Sequence, residues 1–360
     1  MSIKHKVLIC TGAGEPDYTT SKSFIRALRR TTEHEVMTCG AMYKSSKETT
    51  EKTDIILEDR EFPELYSYEE ILDKCKPFRP DVIIQIEPHC YIYGEKPKDI
   101  KSFCWFLDCH RGGYAYRNLA RCGHFDAVFI AQRFFAAAYM RNISDVYFLP
   151  QAFDRERIKY SSKITPECDI AFIGESGIAY LNYDKFDSDG FAYTNTIPND
   201  LHLMSPYYKE YAERAHLLKR LSKDFDVRIY KKNFDNYSKI IQKGRIGFHR
   251  SLFKDVTLRL FEICACRRAL ACDYMPFLEE MFIDKQDCLM YYQFGFNHEL
   301  ENFELDYEQA HDAVKLLLED NELRDKIAEQ AQYYVYNKHT FDARVLDMFS
   351  VIDKYFMQGR

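Results

Sequence analysis

The stretch Arg245–Phe282, RIGFHRSLFKDVTLRLFEICACRRALACDYMPFLEEMF, decides the fold of this chain. It begins with a short apolar run, Ile246–Phe248, followed by a histidine, an arginine and a loop. From Thr257 onward apolar residues recur at helical spacing, and a strand of small residues follows at Ala269–Cys272. A second helix is expected to begin at Pro276. Strand, loop, helix, strand and helix in this order predict a parallel sheet covered by helices.

Two charged residues of the first predicted helix share one of its faces. Arg259 and Glu262 are three positions apart, so their side chains are neighbours near the buried side of the helix. A carboxylate beside the loop at the C-terminal end of a strand is typical of the groups that bind ribose hydroxyls. Glu262 is therefore a candidate ribose ligand, and the alternative is an internal ion pair with Arg259.

The same stretch resembles a known family. Its pattern T-x-R-x-F-E-x-x-A-C, from Thr257 to Cys266, is followed by L-x-x-D-x-x-P-x-L-E-E-x-F, from Leu270 to Phe282. These motifs resemble the donor-binding half of the CgeB-like (spore-maturation-protein type) glycosyltransferases, within glycosyl transferases group 1. The resemblance extends to CWFLDCHRGG, DAVFIAQ, YFLPQAFD, DIAFIG and NKHTFDARV. It implies an α/β protein with two Rossmann-like doubly wound domains that face each other across a cleft, the GT-B fold.

Two places in the sequence depart from the family pattern. Related sugar-nucleotide transferases often carry a second glutamate where this chain has Lys254, eight positions before Glu262. Members also tend to carry glycine after the Ala-Cys pair, where this chain has Arg267 and Arg268. For these two arginines the alternative is a solvated turn, because cations at the C-terminal end of a helix suit its dipole.

The composition describes a globular chain of two ordinary domains. A length of 360 residues is enough for two cores, and 46% hydrophobic with 29% charged residues argues against disorder. The net charge of −6 argues against broad affinity for nucleic acid. No apolar run reaches the ~18 residues that a membrane helix needs, and no signal-peptide pattern is evident, so we expect a cytoplasmic protein. The cysteines stand inside apolar runs, so we expect buried, reduced thiols.

Alternating strand and helix patterns predict the domain layout. They indicate one doubly wound domain over 1–152. The resemblance implies that this domain binds the acceptor. Pro150–Asp154 resembles the interdomain crossover of the family, and a nucleotide-sugar donor domain is expected over 153–338. Residues 175–205, rich in Tyr, Asn and Asp, are expected to form an irregular insertion, either a lid or an acceptor contact. The last helix, within 339–360, is expected to pack back on the N-terminal domain.

Sugar transfer from a nucleotide donor requires that charge on the diphosphate leaving group be neutralised. GT-B enzymes generally use helix N-termini and basic side chains for this, without a tightly held metal. The loop beginning at Gly174 offers backbone N–H groups to the phosphates. Arg250 can form a bidentate contact with phosphate oxygens, and Lys254 supplies a single positive charge. The alternative for Arg250 is a surface salt bridge, and Asp255 and Thr257 are alternatively helix caps. The predicted donor-binding residues are Gly174, Arg250, Lys254, Thr257, Arg259 and Glu262.

A base for the acceptor hydroxyl is expected after a strand of the first domain. Asp108 and His110 follow the strand Ser102–Leu107, where an open parallel sheet binds its ligands. Histidine titrates near neutrality, and the aspartate can orient it or act alone. The alternative is a polar loop whose aspartate caps the next helix.

Three further residues are assigned to the acceptor side. Gly12 and Gly14 follow the first strand, Val7–Thr11, in a loop that usually faces the acceptor in GT-B relatives. The alternative is a tight turn, because the third glycine of a phosphate fingerprint is missing. His89, near the end of the strand Ile83–Ile86, is a second candidate for the base.

The sequence therefore predicts a glycosyltransferase that moves a sugar from a nucleotide-diphosphate donor to a hydroxyl acceptor. The acceptor class is open between a glycan, a protein, a small molecule and a modified DNA base. We expect no cofactor besides the nucleotide sugar and no metal, because the one D-x-D match, Asp187-Ser188-Asp189, falls in the insertion and is interpreted as chance. The alternatives are a sugar-nucleotide epimerase on the same fold, a non-catalytic sugar- or nucleotide-binding module, and a transferase acting on modified DNA bases.

Overall fold

The computed structural model describes residues 3–11, 17–41, 53–57, 64–86, 90–107, 125–133, 145–174, 191–193, 209–230, 236–252, 255–275, 277–291 and 303–357. The chain divides into two compact units. Unit 1 comprises Met1–Asp154 and Thr340–Arg360, and unit 2 comprises Arg155–His339. Several positions predicted above lie outside the described residues, namely Gly12, Gly14, His89, Asp108, His110, Asp187, Asp189 and Lys254.

Strands and helices are numbered here along the described residues. The strands are β1 (Lys6–Cys10), β2 (Glu35–Ala41), β3 (Ile55–Leu57), β4 (Glu64–Ser67), β5 (Val82–Ile86), β6 (Cys90–Tyr93), β7 (Lys101–Phe106), β8 (Ala127–Ile130), β9 (Val146–Phe148), β10 (Cys168–Ile173), β11 (Phe191–Tyr193), β12 (Val227–Tyr230), β13 (Gly244–His249), β14 (Leu270–Asp273) and β15 (Leu289–Tyr291). The helices are α1 (Thr20–Thr31), α2 (Tyr68–Lys74), α3 (Lys209–Leu221), α4 (Tyr237–Lys243), α5 (Leu258–Ala265), α6 (Phe303–Glu319), α7 (Asn321–Lys338) and α8 (Phe341–Met357).

Unit 1 is built on a parallel sheet with the strand order β3-β2-β1-β5-β7-β8-β9. The order reverses between β1 and β5, which is the doubly wound pattern. Every residue of β5 is buried, as are Val7–Cys10 of β1, because helices cover both faces of such a sheet. The strand that precedes Asp108, β7, pairs with β5 on one side and β8 on the other, so it lies inside the sheet.

The last helix, α8, belongs to unit 1 and packs on α1. Near its beginning Asp342 accepts a hydrogen bond of 2.5 Å from the guanidinium of Arg30 on α1. Farther along, Asp353 Oδ1 lies 2.8 Å from Nε2 of the buried His5, which directly precedes β1. These charged contacts add to the apolar packing and hold α8 on this unit.

Unit 2 is a second doubly wound sheet, with the order β11-β12-β10-β13-β14-β15. Strands β10, β12, β13, β14 and β15 are parallel, and the edge strand β11 is antiparallel to β12. Apolar residues from the strands and the covering helices form one core, represented by Ile170, Leu218, Phe248, Val314 and Ile327. Two doubly wound sheets, each built mainly of parallel strands, make this an α/β protein.

One expectation about local structure is wrong. The helix expected from Pro276 is only a 3-10 turn, Leu278–Glu280, within the described residues. Phe277 precedes it with φ of +66°, and this left-handed conformation is incompatible with the first turn of an α-helix. Within the insertion expected over 175–205, the described residues are those of the edge strand β11.

Nine cysteines whose side chains the structure describes are free and buried, as the apolar sequence around them predicts. Burial raises the pKa of Cys75 and of Cys168 to about 12, so both thiols are neutral near pH 7. None of the helices in the described part of the chain is both long and apolar enough to cross a bilayer.

Candidate functional site

The strand order of the unit 2 sheet reverses between β10 and β13. From β10 the chain continues to β12 on one side and then crosses to β13 on the other. Open parallel sheets bind their ligands at such a reversal, beyond the C-terminal ends of the strands. We refer to the residues at this end of the sheet, Gly174, His249, Arg250, Ser251, Thr257, Arg259, Glu262 and Asp273, as the switch-point site.

Gly174 directly follows β10 and lies under the side chain of Arg259. A Cβ atom at position 174 would come within 1.8 Å of Nη2 of Arg259, so the guanidinium occupies space that only glycine leaves open. Gly174 also has φ of +147°, a conformation that side chains disfavour. The loop after β10 therefore requires glycine both for its backbone and for its neighbour.

The guanidinium of Arg259 is positioned by an aromatic ring but is not saturated with hydrogen bonds. Its central carbon lies 5.0 Å from the centre of the Phe172 ring, within the range of a cation–π contact. Its Nε and Nη1 atoms are buried and have no hydrogen-bond partner in the described part of the chain. Arg259 therefore presents donors that an acceptor from outside the protein can satisfy.

His249, the last residue of β13, is completely buried. Neither of its ring nitrogens has a hydrogen-bond partner within the described residues. Burial holds the pKa of His249 well below its usual value of 6.5, and the charges of Arg259, Arg214 and Arg250 lower it further. The imidazole is therefore neutral near pH 7, with one ring nitrogen as a donor and the other as an acceptor.

Arg250 is buried in a network of acidic groups. Its Nη2 donates to Glu213 Oε2 at 2.7 Å, and its Nη1 lies 3.7 Å from Asp273 Oδ2. Asp273, which has no exposed surface, also accepts hydrogen bonds from the backbone N–H and the hydroxyl of Ser251. The carbonyl of Arg250 accepts from Arg214 Nη2 at 2.5 Å. The surface salt bridge considered for Arg250 is thus a buried one, and it fixes the loop that follows β13.

Thr257 lies at the N-cap position of α5 but does not cap the helix. Its side chain makes no capping hydrogen bond, and its hydroxyl is buried with no partner among the residues described here. The first N–H groups of a helix lack partners within the helix and carry partial positive charge. An unused hydroxyl beside them suits an anionic ligand.

Glu262 lies one turn after Arg259 on α5 and interacts with Tyr237, the first residue of α4. Tyr237 is buried and forms side-chain hydrogen bonds with Glu262 and with Arg259. Burial, followed by the charge of Glu262, raises the pKa of Tyr237 well above its usual value of 10, so its hydroxyl keeps its proton. Tyr237 therefore orients the carboxylate of Glu262, which has acceptor capacity beyond this one bond.

Five of the predicted donor-binding residues lie together at this end of the sheet, namely Gly174, Arg250, Thr257, Arg259 and Glu262. Lys254 lies outside the described residues, and Arg267 and Arg268 lie at the opposite end of the strands.

Several residues of the arrangement were not predicted, among them Asp273, His249, Arg214 and Tyr237. Asp273 and His249 are the last residues of their strands. Because open parallel sheets bind ligands beyond the C-terminal strand ends, their positions alone indicated a place in the site. Arg214 stands 30 positions and Tyr237 seven positions before the start of β13, each on a helix, and no local pattern links them to the site. No group of three or more His, Cys, Asp or Glu side chains suited to holding a metal occurs among the described residues.

Residues 212–350 match a family model described as "Glycosyl transferase-like". The matched segment contains β12 to β15 and, apart from Gly174, every described residue of the switch-point site. No curated protein matches the chain.

Solved glycosyltransferase structures share the fold over nearly the whole chain. Sucrose-phosphate synthase from Thermosynechococcus elongatus superposes with a TM-score of 0.61 at 10% identity, covering 99% of this chain and 100% of that one. HepE from Anabaena, in complex with UDP and glucose, gives 0.58 at 10% identity, with 97% and 99% covered. An alpha-glucosyltransferase in complex with UDP gives 0.59 at 12% identity, with 97% and 100% covered. The glycosyl transferase-like segment and the GT-B fold together support a glycosyltransferase enzyme.

Proposed function

We propose that this chain transfers a sugar from a nucleoside-diphosphate sugar to a hydroxyl group, and that the switch-point site binds the nucleotide. The observation that carries the proposal is the accumulation of buried donors without partners on Arg259, His249 and Thr257. Leaving a buried donor unsatisfied costs about 1–3 kcal/mol, so three such groups at one strand-end site favour a ligand that supplies acceptors. A diphosphate supplies several acceptor oxygens together with the negative charge that Arg259 attracts.

Each described residue has a part in this proposal. Arg259, the N–H groups at the beginning of α5 and the hydroxyl of Thr257 bind the diphosphate, and they neutralise the charge that develops as the sugar leaves. Glu262, oriented by Tyr237, accepts hydrogen bonds from the ribose hydroxyls. Arg250 acts differently from the prediction, because its charge is already compensated by Glu213 and Asp273, and it positions the loop beside the ligand.

Uridine is the first choice of base, because several solved structures with this fold are complexes with UDP. Lys254, in the loop between β13 and α5, is retained as a further phosphate ligand. The finer parts of the proposal are a CgeB-like subtype, transfer without a metal, and a cytoplasmic location. The acceptor is a hydroxyl whose class the residues do not specify.

For the acceptor side we retain Asp108 or His110 as the base, with Gly12, Gly14 and His89 as further acceptor-side residues. The loop with Asp108 and His110 follows β7, an interior strand of a doubly wound sheet, where polar side chains meet ligands. Removal of a general base typically costs 10²–10⁴ in rate. We expect His110→Ala or Asp108→Asn to slow turnover at least a hundredfold with nucleotide affinity unchanged, and normal turnover in both variants would remove this loop from the mechanism.

The decisive experiment is a calorimetric titration of the full chain with UDP, GDP, ADP and dTDP and their glucose conjugates. One nucleotide should bind saturably, and a ligand at ~100 times its dissociation constant should add about 2.7 kcal/mol to the free energy of unfolding. Glu262→Ala should weaken that binding by about 1.5–3 kcal/mol, since it removes hydrogen bonds to a charged group.

The matched control for Glu262→Ala is Glu279→Ala, because Glu279 is exposed and bonds Tyr274 on the surface. A folded Glu262→Ala protein with unchanged nucleotide affinity would refute the ribose assignment. Binding of a nucleotide without release of free nucleoside diphosphate, in the presence of glycan, protein, small-molecule and modified-DNA acceptors, would favour the non-catalytic binding module.

A further inference from the structure

A second group of arginines surrounds a cavity at the other end of the same sheet. The cavity has a volume of about 180 Å³ and lies where β13 and β14 begin. Its charged lining residues are Arg245, Arg267, Arg268, Arg324 and Asp325. Four guanidinium groups therefore face one carboxylate around a small space.

Three of these arginines are paired with carboxylates. Arg245 Nη1 donates to Asp169 at 3.1 Å, Arg324 Nε to Asp325 at 3.1 Å, and Arg267 Nη2 to Glu329 at 3.0 Å. Glu329 is 70% exposed and Asp325 is 74% exposed, so these two pairs are screened by water and contribute little stability. An anion in the cavity would therefore compete only with weak, solvent-screened pairs at Arg267 and Arg324.

Arg268 is the exception, because its charge has no ion pair among the described residues. The residue is 8% exposed, and its guanidinium donates only to main-chain carbonyls, to Gln242 at 2.6 Å and to Arg267 at 3.1 Å. Its Nε is buried and has no partner within the described residues. A buried cation without a carboxylate partner is costly, and an oxyanion in the cavity would offset that cost.

Arg267 adopts a conformation that normally favours glycine. Its φ is +53°, which costs a residue with a side chain roughly 1–2 kcal/mol. The chain therefore carries a strained arginine at a position where glycine would relieve the strain. A retained conformational outlier of this kind points to a functional demand on the side chain.

We infer that this cavity is a binding site for a phosphate-sized oxyanion, either inorganic phosphate or the phosphate group of a small phosphomonoester. The planar forks of the four arginines match the oxygens of a tetrahedral oxyanion. The volume of 180 Å³ is below the roughly 300–1,000 Å³ of sites for drug-sized ligands, so the ligand is small. Arg245 and His249 are separated by about 13 Å along β13, so the site is distinct from the switch-point site and does not depend on the proposed function.

The test is a calorimetric titration of the full chain with inorganic phosphate at constant ionic strength, in parallel with glucose 6-phosphate as a phosphomonoester. Phosphate should bind saturably, and Arg267→Gly and Arg324→Gln should each weaken binding at least tenfold. Arg267→Gly should keep or raise the melting temperature, because glycine relieves the strain at φ of +53°. This expectation separates loss of the site from loss of the fold.

Two variants serve as controls for charge and for location. Arg29→Gln removes an arginine that is paired with Asp54 in unit 1, and it should leave phosphate binding unchanged. Arg259→Gln removes a cation of the switch-point site, and it should also leave phosphate binding in the cavity unchanged. Tighter binding of glucose 6-phosphate than of phosphate would identify a phosphomonoester as the ligand, and the reverse order would identify the free ion.

Two results would overturn the inference. One is the absence of saturable binding of either compound to the unaltered chain. The other is that the Arg267→Gly and Arg324→Gln variants bind these compounds as tightly as the unaltered chain does. That result would overturn the inference whatever the effect of Arg259→Gln.

Discussion

The two ends of the unit 2 sheet both carry arginines, but the arginines are used differently. At the C-terminal end, Arg250 pairs with the buried Asp273, while Arg259 and the neutral His249 keep unused donors. At the N-terminal end, Arg267 and Arg324 pair with exposed carboxylates at the rim of a cavity. Charge alone therefore does not distinguish the two ends, and each end holds an arginine with an unsatisfied buried donor. The C-terminal end differs because a neutral, buried His249 and a fully buried carboxylate, Asp273, lie beside its arginines.

The direction of the strands explains part of this difference. In a parallel sheet with crossover helices, the C-terminal strand ends face helix N-termini, and the N-terminal strand ends face helix C-termini. Arg268 accordingly donates to the carbonyl of Gln242 in the last turn of α4, and Arg267 follows the end of α5. Both arginines therefore lie beside helix C-termini, but the solvated turn expected for them applies only to Arg267, because Arg268 is buried.

The largest expected effect tests whether the C-terminal end depends on buried ion pairing. Asp273→Ala removes the acceptor for Ser251 and leaves Arg250 with less compensation in a buried site. We expect a loss of about 3–5 kcal/mol in the free energy of unfolding, measured by urea denaturation. Asp226→Ala is the matched control at the N-terminal end, because Asp226 pairs with Arg228 and its side chain is 49% exposed. Loss of such an exposed ion pair should lower the free energy of unfolding by at most ~1 kcal/mol. Equal losses would remove the distinction between the two ends.

The next effect tests the contact between Gly174 and Arg259. Gly174→Ala places a methyl group within 1.8 Å of Nη2 of Arg259, so the guanidinium must move. We expect nucleotide affinity to fall at least tenfold, about 1.4 kcal/mol, in calorimetry. Gly94→Ala is the control, since Gly94 also has positive φ but its added Cβ meets no atom within 4 Å. If both variants bind nucleotide as the unaltered chain does, Arg259 is not a ligand.

The smallest effect concerns the neutral imidazole of His249. In the unfolded chain His249 gains a proton as the pH falls through 6.5, whereas in the folded chain its pKa lies well below that value. The unfolded state then binds more protons, so stability should fall below pH 6.5 by up to ~1.4 kcal/mol per pH unit from this residue. His249→Gln should flatten the profile of unfolding free energy between pH 6.5 and 5. A profile of unchanged slope in His249→Gln would show that other groups cause the acid sensitivity.

Much of the fold was predictable because its signals are local. The alternation of apolar strands with amphipathic helices predicts both doubly wound sheets, and the structures of known glycosyltransferases share that fold. The rule that ligands bind beyond strand C-termini selects Gly174 and Arg250 from sequence position alone. The failed helix at Pro276 shows the limit of local signals, because proline at a helix start says nothing about the left-handed Phe277 that follows.

The sequence by itself determined which residues stand at strand ends and helix starts. Only the tertiary structure decided their partners. Glu213 lies 37 positions before Arg250, and the cavity joins Arg268 to Arg324 from another helix. Such contacts depend on strand order and on how helices pack across the sheet, and these are set by the burial of the whole core and not by the pattern within any one segment.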